Sequence, residues 1–342
     1  MQSEVAQGLD RILIRLPNWL GDVLMARPLL HDLHATFPTA NLRGVAPGGL
    51  LALLRGDGAL STLDAWPGRD DRSAAVRLRD TLREWQPQAA LVLPPSFSSA
   101  WFARSAGARV RVGYAHEGRS WTLSRPLRRP ARGDLHLSGE YRQLGSALTQ
   151  EGLTAVQLPD LPVPEGAEEE GRAVLAAAGD VEGPWAVLGP GAIYGPAKRW
   201  SPERFAELGR RLVQRDQRVL VCGTEAEQDT CAVVARSIGA GAVNLAGRTS
   251  LPALAWLCSR ATFAVCNDSG LAHLCAALGT GTVAIFGSTS SAWTAPLGRR
   301  ARVVQNAPVC SPCFRRTCSI GYACLESVTV DSVERAASEW AA

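Results

Sequence analysis

Residues 265–279, VCNDSGLAHLCAALG, hold the most chemically suggestive run in the chain. An apolar strand runs into Asn-Asp-Ser-Gly, and a helix then opens with His273 in its first turn. Asp268 or Ser269 can cap that helix, and Gly270 lets the backbone come close to a ligand. The first amides of a helix have no internal partners and sit at the positive end of its dipole, so such a tip suits phosphate. His273 follows Ser269 by four residues, which puts both side chains on one helix face. The same residues would also make an ordinary capped helix with a surface histidine.

Three further segments bear on that choice. Residues 189–200, GPGAIYGPAKRW, follow an apolar strand; glycine and proline hold the loop open, and Lys198 and Arg199 bring positive charge to its end. A lysine on such a loop suits a diphosphate. Residues 222–225, Cys-Gly-Thr-Glu, end another strand, where Glu225 could take ribose hydroxyls. Near the start, Asn18-Trp19-Leu20-Gly21-Asp22 follows the first strand. Asp22 there is either a helix cap or a carboxylate able to take a proton from a substrate hydroxyl. Neither GxGxxG nor GxxxxGK[ST] occurs there, which argues against a standard dinucleotide or P-loop site.

These positions need strand ends to hold them, and the chain supplies them. Strands are expected at 11–16, 41–45, 89–93, 185–188, 218–222, 262–266 and 282–286. Helices are expected at about 20–34, 73–85, 168–178, 202–215, 227–238 and 251–259, with Ser201 as cap and Pro202 as first helical residue of the fourth. Strands alternating with helices of this length predict an α/β fold of parallel βαβ units. The Pro- and acid-rich run LPDLPVPEGAEEE reads as a connection, so two doubly wound units are expected, 1–165 and 166–342, with a cleft at their junction.

The chain has 342 residues, 46% hydrophobic and 20% charged, the balance of an ordinary globular protein. The opening MQSEVAQGLDRILIRL lacks the pattern of an export signal, and no apolar run reaches the roughly 20 residues of a spanning helix, so a cytoplasmic location is expected. A net charge of +4 does not indicate nucleic acid. It is uneven, however: residues 104–142 carry Arg104, Arg109, Arg111, Arg119, Arg125, Arg128, Arg129, Arg132 and Arg142 against Glu117, Asp134 and Glu140. That is either a solvated face or an electropositive surface for an anionic partner.

Cys222, Cys231, Cys258, Cys266 and Cys275 lie in or beside apolar segments and read as small buried hydrophobes. Cys310, Cys313, Cys318 and Cys324 cluster with x2, x4 and x5 spacing, a candidate site for structural Zn²⁺ or an iron–sulfur centre, though not a double CxxC. Reduced or bridged thiols are the alternative. No DxD-like acidic pair falls at a strand end, so catalysis without a divalent metal is expected.

Together, LPNWLGDVLMARPLL, LPPSFSSAWFARSAGARVRVGY, PGAIYGPAKRW, NDSGLAHLCAALG and CSPCFRRTCSIGYACL resemble glycosyltransferase family nine, in the ADP-heptose:lipopolysaccharide heptosyltransferase II branch. The resemblance spans nearly the whole chain in order. It implies a GT-B architecture of two Rossmann-like domains, the first for acceptor and the second for nucleotide sugar. It implies an inverting, metal-independent transfer of heptose, or a related sugar, from an ADP-sugar to the lipopolysaccharide inner core. By the same resemblance Asp22 matches the general base and Lys198 the donor-phosphate lysine. Asp268, Ser269, Gly270 and His273 match the donor pocket, with Ser269 where heptosyltransferase I has Thr. Glu225 matches the ribose acid, although Glu227 aligns nearly as well. The basic segment, with Arg119 and Arg125 as acceptor contacts, fits an anionic glycolipid. Trp101, Phe102 and Trp121 would then touch the inner face of the membrane. Two other functions fit the same architecture: a nucleotide-sugar epimerase, or a non-catalytic nucleotide- or glycolipid-binding protein.

Overall fold

A computed structural model of the chain describes residues 8–67, 71–116, 118–179 and 181–340. The first seven residues and Glu117, both used in reading the sequence, lie outside the described residues. The chain divides into two compact units, Met1–Pro159 and Asp160–Ala342.

Unit 1 is built on strands β1 (Arg11–Arg15), β2 (Asn41–Pro47), β3 (Thr62–Trp66), β4 (Ala89–Val92), β5 (Val110–Tyr114) and β6 (Arg125–Leu127). They form one parallel sheet in the order β3-β2-β1-β4-β5-β6, in which Ile12 pairs with Leu42 on one side and Ala89 on the other. The central strands are continuous apolar runs because helices cover both faces of a parallel sheet. Ile12, Leu13, Ile14 and Leu91 are accordingly fully buried.

Unit 2 repeats the plan with β7 (Trp185–Gly189), β8 (Arg218–Val221), β9 (Ala242–Asn244), β10 (Ala264–Asn267), β11 (Thr282–Phe286) and β12 (Ala301–Gln305). Its order, β12-β11-β10-β7-β8-β9, is the same winding read from the other edge. In both units the first strand of the unit lies beside its fourth, and the chain moves outward to opposite sides from there. In such sheets ligands sit beyond the carboxyl ends of the strands at this reversal. Three of the four segments singled out by their chemistry follow β1, β7 and β10, at those reversals, and the fourth, 222–225, follows β8. The α/β doubly wound class is therefore the one found.

Helix Pro202–Val213 shows how sequence positions these ends. Ser201 accepts the Arg204 amide at 3.3 Å as N-cap, Pro202 starts the helix, and Phe205, Leu208 and Leu212 bury one face against the sheet. This is the start signal read from Ser-Pro-Glu. Among the described residues no helix is long and apolar enough to cross a membrane.

Candidate functional site

In unit 2 the site grows from Asn267, the last residue of β10. Its side chain is fully buried; Nδ2 donates to the Pro190 carbonyl at 2.7 Å and Oδ1 accepts the Trp200 amide at 3.0 Å. One amide side chain thus ties both ends of the 190–200 loop to the neighbouring strand. Between those ties, the short 3-10 turn Pro196–Lys198 presents Lys198. Its Nζ lies 2.6 Å from Asp268 Oδ2, and the same oxygen accepts the Thr289 hydroxyl at 2.6 Å. Lysine and aspartate come from the ends of β7 and β10, which are adjacent, so their pairing follows from strand order.

Asp268 is therefore engaged by Lys198 and Thr289 and does not cap the following helix. Ser269 holds the N-cap position of helix Gly270–Ala277 in extended conformation but makes no side-chain cap hydrogen bond. Either residue was a plausible cap by type, and neither serves. His273 is buried on the first turn, its amide donating to the Ser269 carbonyl at 3.4 Å. Gly270 opens the helix as its first residue.

At the end of β8 the two glutamates separate. Glu227 is buried, and its Oε2 accepts both the Thr224 amide at 2.8 Å and the Thr224 hydroxyl at 2.9 Å. A Cβ on Gly191 would meet the Glu227 carboxylate at 2.3 Å, so this acid is packed against the loop. Glu225 stays exposed on the same turn. The structure leaves Glu225, the residue preferred from sequence, with its carboxylate at the surface.

In unit 1, Asp22 sits half-buried in the first turn of helix Leu20–Thr36. Trp19 occupies the N-cap, so the capping alternative for Asp22 does not apply. The Asp22 charge reaches Tyr141: burial first, and then this carboxylate, push the phenol well above its ordinary value. The loop before the helix is held by Arg15, a residue with no obvious sequence signal. Its buried guanidinium lies 3.9 Å from the centre of the Trp66 ring, donates to Asn18 Oδ1 at 2.5 Å and to the Leu16 carbonyl, and burial holds its pKa down to about 10.

The basic segment is largely structural. Arg119 is fully buried; it donates to the carbonyls of Tyr114 at 2.9 Å, Pro94 at 2.6 Å and Ser96 at 3.0 Å. It binds the ends of β4 and β5 together and does not present its charge to an acceptor, which corrects the expectation. Arg125 is half-buried on β6 and donates to the Ala147 carbonyl at 2.6 Å. Arg111 is likewise spent on carbonyls, while Arg129 pairs with Glu140 and Arg142 with Asp32. Arg104, Arg109, Arg128 and Arg132 remain exposed.

The aromatic surface is also revised. Phe102 is buried, edge-on to Trp66 at 4.8 Å, whereas Phe97 is 41% exposed beside Trp101 at 48% and Trp121 at 59%. The last three rings lie 5.9–6.3 Å from one another, and Arg104 sits 5.6 Å from the Trp121 ring.

The four late cysteines do not assemble into a metal centre: among the described residues no group of three or more Cys, His, Asp or Glu is arranged to hold one. Cys310 and Cys313 are exposed, while Cys324 is buried in the apolar core of unit 2. Cys318 accepts the backbone amides of Ile320 at 3.5 Å and Tyr322 at 3.4 Å, and these hydrogen bonds lower its pKa. The five earlier cysteines are buried, as their apolar surroundings imply.

Comparison with known proteins bears on the whole arrangement. Residues 75–323 match the family model Glycosyltransferase family 9 (heptosyltransferase). Lipopolysaccharide heptosyltransferase 2 of Escherichia coli K12 is 32% identical over 308 residues, covering 86% of this chain and 88% of that one. Lipooligosaccharide heptosyltransferase 2 of Haemophilus influenzae is 29% identical over 310 residues, with the same coverage of both chains. The structure of the E. coli ADP-heptose LPS heptosyltransferase II superposes with TM-score 0.81 at 28% identity, covering 97% of this chain and 98% of that one. A family 9 glycosyltransferase of Veillonella parvula shares the fold at TM-score 0.84 and 19% identity, covering 98% and 99%. With the family model spanning most of the chain and a relative above 30% identity over most of its length, the chain belongs to glycosyltransferase family 9, the heptosyltransferases.

Proposed function

We propose that this protein transfers a heptose, or a closely related sugar, from an ADP-sugar to the anionic inner core of lipopolysaccharide, with inversion at the anomeric carbon. The observation that carries the reading is the Lys198–Asp268 pair, 2.6 Å across adjacent strand ends, beside a helix start that no side chain caps. Unit 2 is then the donor domain and unit 1 the acceptor domain. Lys198 and the free amides of helix Gly270–Ala277 receive the diphosphate, with His273 on the same turn, Asp268 meets sugar hydroxyls, and Glu225 takes the ribose. Asp22 in unit 1 is the base.

The acceptor oxygen attacks the anomeric carbon as its proton passes to the Asp22 carboxylate. The bond from that carbon to the β-phosphate oxygen breaks, and its electron pair leaves with ADP through an oxocarbenium-like state of the kind glycoside chemistry shares. One displacement means one inversion. Charge grows on the leaving diphosphate, where each preorganised donor supplies about 2–4 kcal/mol. Those donors are an ammonium and backbone amides, so the reading assigns the charge to them and not to a divalent ion. Family membership in transferases weighs against an epimerase, and retention of Asp22, Lys198 and His273 weighs against a non-catalytic role.

The acceptor is membrane-anchored in this reading. Phe97, Trp101 and Trp121, with Arg104 beside them, form the part of unit 1 suited to a peripheral contact with an anionic inner leaflet, since aromatic rings favour the bilayer interface. The decisive experiment is Asp22→Asn with ADP-heptose and deacylated inner-core acceptor. Transfer falls about 10²–10⁴-fold while ADP affinity holds. Turnover within a few-fold of wild type would remove Asp22 as the base.

A further inference from the structure

Resting on the donor-site reading above, we propose that Arg316, in the cysteine-bearing loop, is a donor-binding residue: the second cation of the diphosphate site. The diphosphate of a nucleotide sugar brings two negative charges. Lys198 alone does not match them, because its charge is already offset by the buried Asp268 carboxylate 2.6 Å away. A further cation is needed, and it must be close to Lys198 without an acid of its own.

Arg316 meets both conditions. Its Cζ lies 5.3 Å from the centre of the Tyr194 ring, and Lys198 Nζ lies 4.9 Å from the same ring. Tyr194 therefore holds two cations next to one aromatic face system, a favourable place for each. Among the described residues the Arg316 guanidinium is in contact with the Tyr194 ring, with no acid paired to it and no hydrogen bond donated. Its planar set of N–H donors, suited to bidentate phosphate contact, is thus uncommitted. Arg199, beside Lys198 in the 190–200 loop, donates through Nε to the Ala192 carbonyl at 3.1 Å.

The backbone around Arg316 is fixed to the same strand ends. Its carbonyl accepts the Ala197 amide at 3.0 Å, one residue before Lys198. The Phe314 amide donates to the Ser288 carbonyl at 2.8 Å, and the Tyr194 hydroxyl donates to the Phe314 carbonyl at 2.5 Å. Ser311 Oγ donates to the Gly287 carbonyl at 3.0 Å. Gly195 makes the approach possible: its φ is +147°, and a Cβ there would meet the Arg316 carbonyl oxygen at 2.6 Å. Where these segments join, the Ser288 hydroxyl is buried without a hydrogen-bond partner among the described residues. A merely solvated arginine would need none of these ties.

The test is calorimetric titration of the full chain with ADP and with AMP, for wild type, Arg316→Gln, Arg316→Lys and the adjacent control Arg315→Gln. Arg316→Gln is expected to weaken ADP about 10- to 100-fold, the loss of one charge-assisted contact, and AMP much less. Arg316→Lys recovers part of it, Arg315→Gln binds as wild type, and unfolding temperatures coincide. ADP binding by Arg316→Gln within twofold of a wild type that does bind ADP overturns the role of Arg316 and leaves the donor site standing. Equal losses for ADP and AMP, without recovery in Arg316→Lys, overturn it too, because they mark a structural contact. A folded wild type that binds no ADP overturns the donor-site reading itself.

Discussion

Removing the side chain of Asn267 should loosen the 190–200 loop at both of its ends. Asn267→Ala deletes the acceptor for the Trp200 amide at 3.0 Å and the donor to the Pro190 carbonyl at 2.7 Å, in a site with no solvent exposure. A buried backbone group left without a partner costs about 1–3 kcal/mol, so two cost about 2–6 kcal/mol if neither finds a replacement. Some relaxation of the loop brings the expected loss to about 2–4 kcal/mol. For a domain of this size each kcal/mol moves Tm by about 2–4 °C, giving a drop of at least about 4 °C. Lys198 sits within the released segment, so ADP affinity should fall about tenfold or more as the loop must be ordered on binding. The assay is thermal unfolding with and without ADP, together with an ADP titration. Asn267→Leu is the companion variant: it fills the volume and restores neither hydrogen bond. Matching losses in the two variants assign the effect to the hydrogen bonds and not to a cavity. If both variants keep wild-type Tm and bind ADP within twofold, the loop is not held by this residue and the reasoning fails.

Two more outcomes follow from unit 1. Asp57 is buried, and although burial alone raises its pKa, hydrogen bonds and charge from His31 and Arg27 prevail and hold it below the usual carboxylate range. Its stabilising contribution is thus complete above the unfolded carboxylate pKa of about 4 and disappears as pH falls through the lower native value. Asp57→Ala should cost about 3–5 kcal/mol at pH 7 by leaving Arg27 unpaired, and the Tm gap to wild type should narrow in acid; a gap that stays constant from pH 7 to pH 3 would contradict this. At the aromatic surface, Trp101→Ser with Trp121→Ser should abolish most sedimentation with phosphatidylglycerol vesicles while leaving ADP binding intact, and rising salt should weaken what wild type binds. Wild-type protein that ignores such vesicles at low salt would remove the membrane contact.

The parts of this molecule that announce themselves in sequence are those whose local chemistry repeats along the chain. Apolar runs gave β1, β4, β7, β10 and β11 because a central parallel strand is apolar on both faces. The edge strands β3, β6, β9 and β12 do not stand out: sequences such as Thr-Leu-Asp-Ala-Trp or Arg-Pro-Leu are half polar, and pairing on one side only leaves them no continuous apolar pattern. The 3.6-residue repeat marked the helices that pack on the sheets, whereas Phe97–Ser105 was hidden behind its run of small and polar residues. Among the proposed site residues, Asp22, Lys198 and Asp268 are conspicuous in sequence because they are charged residues that follow apolar strands. Asn267 is not, since an Asn before Asp-Ser-Gly reads as a turn former, and only the three-dimensional adjacency of β7 and β10 turns it into a strap. Arg119 misled for the opposite reason. In a string of arginines each looks like surface charge, and nothing local tells which guanidinium will find three carbonyls in the interior.

That each sheet reverses its winding beside its own first strand has an evolutionary consequence. In the proposed reading Asp22, Lys198 and Asp268 follow the innermost strands β1, β7 and β10, leaving the edge strands β3, β6 and β9 the segments most free to drift. Insertions or exchanges at β3, β6 or β9 would reshape what the enzyme recognises at its periphery and leave the proposed base and diphosphate contacts in place, whereas the connection after β12, which carries Arg316, is not free in this way. A lineage can therefore diversify its glycan repertoire by editing margins, with the reaction itself inherited unchanged.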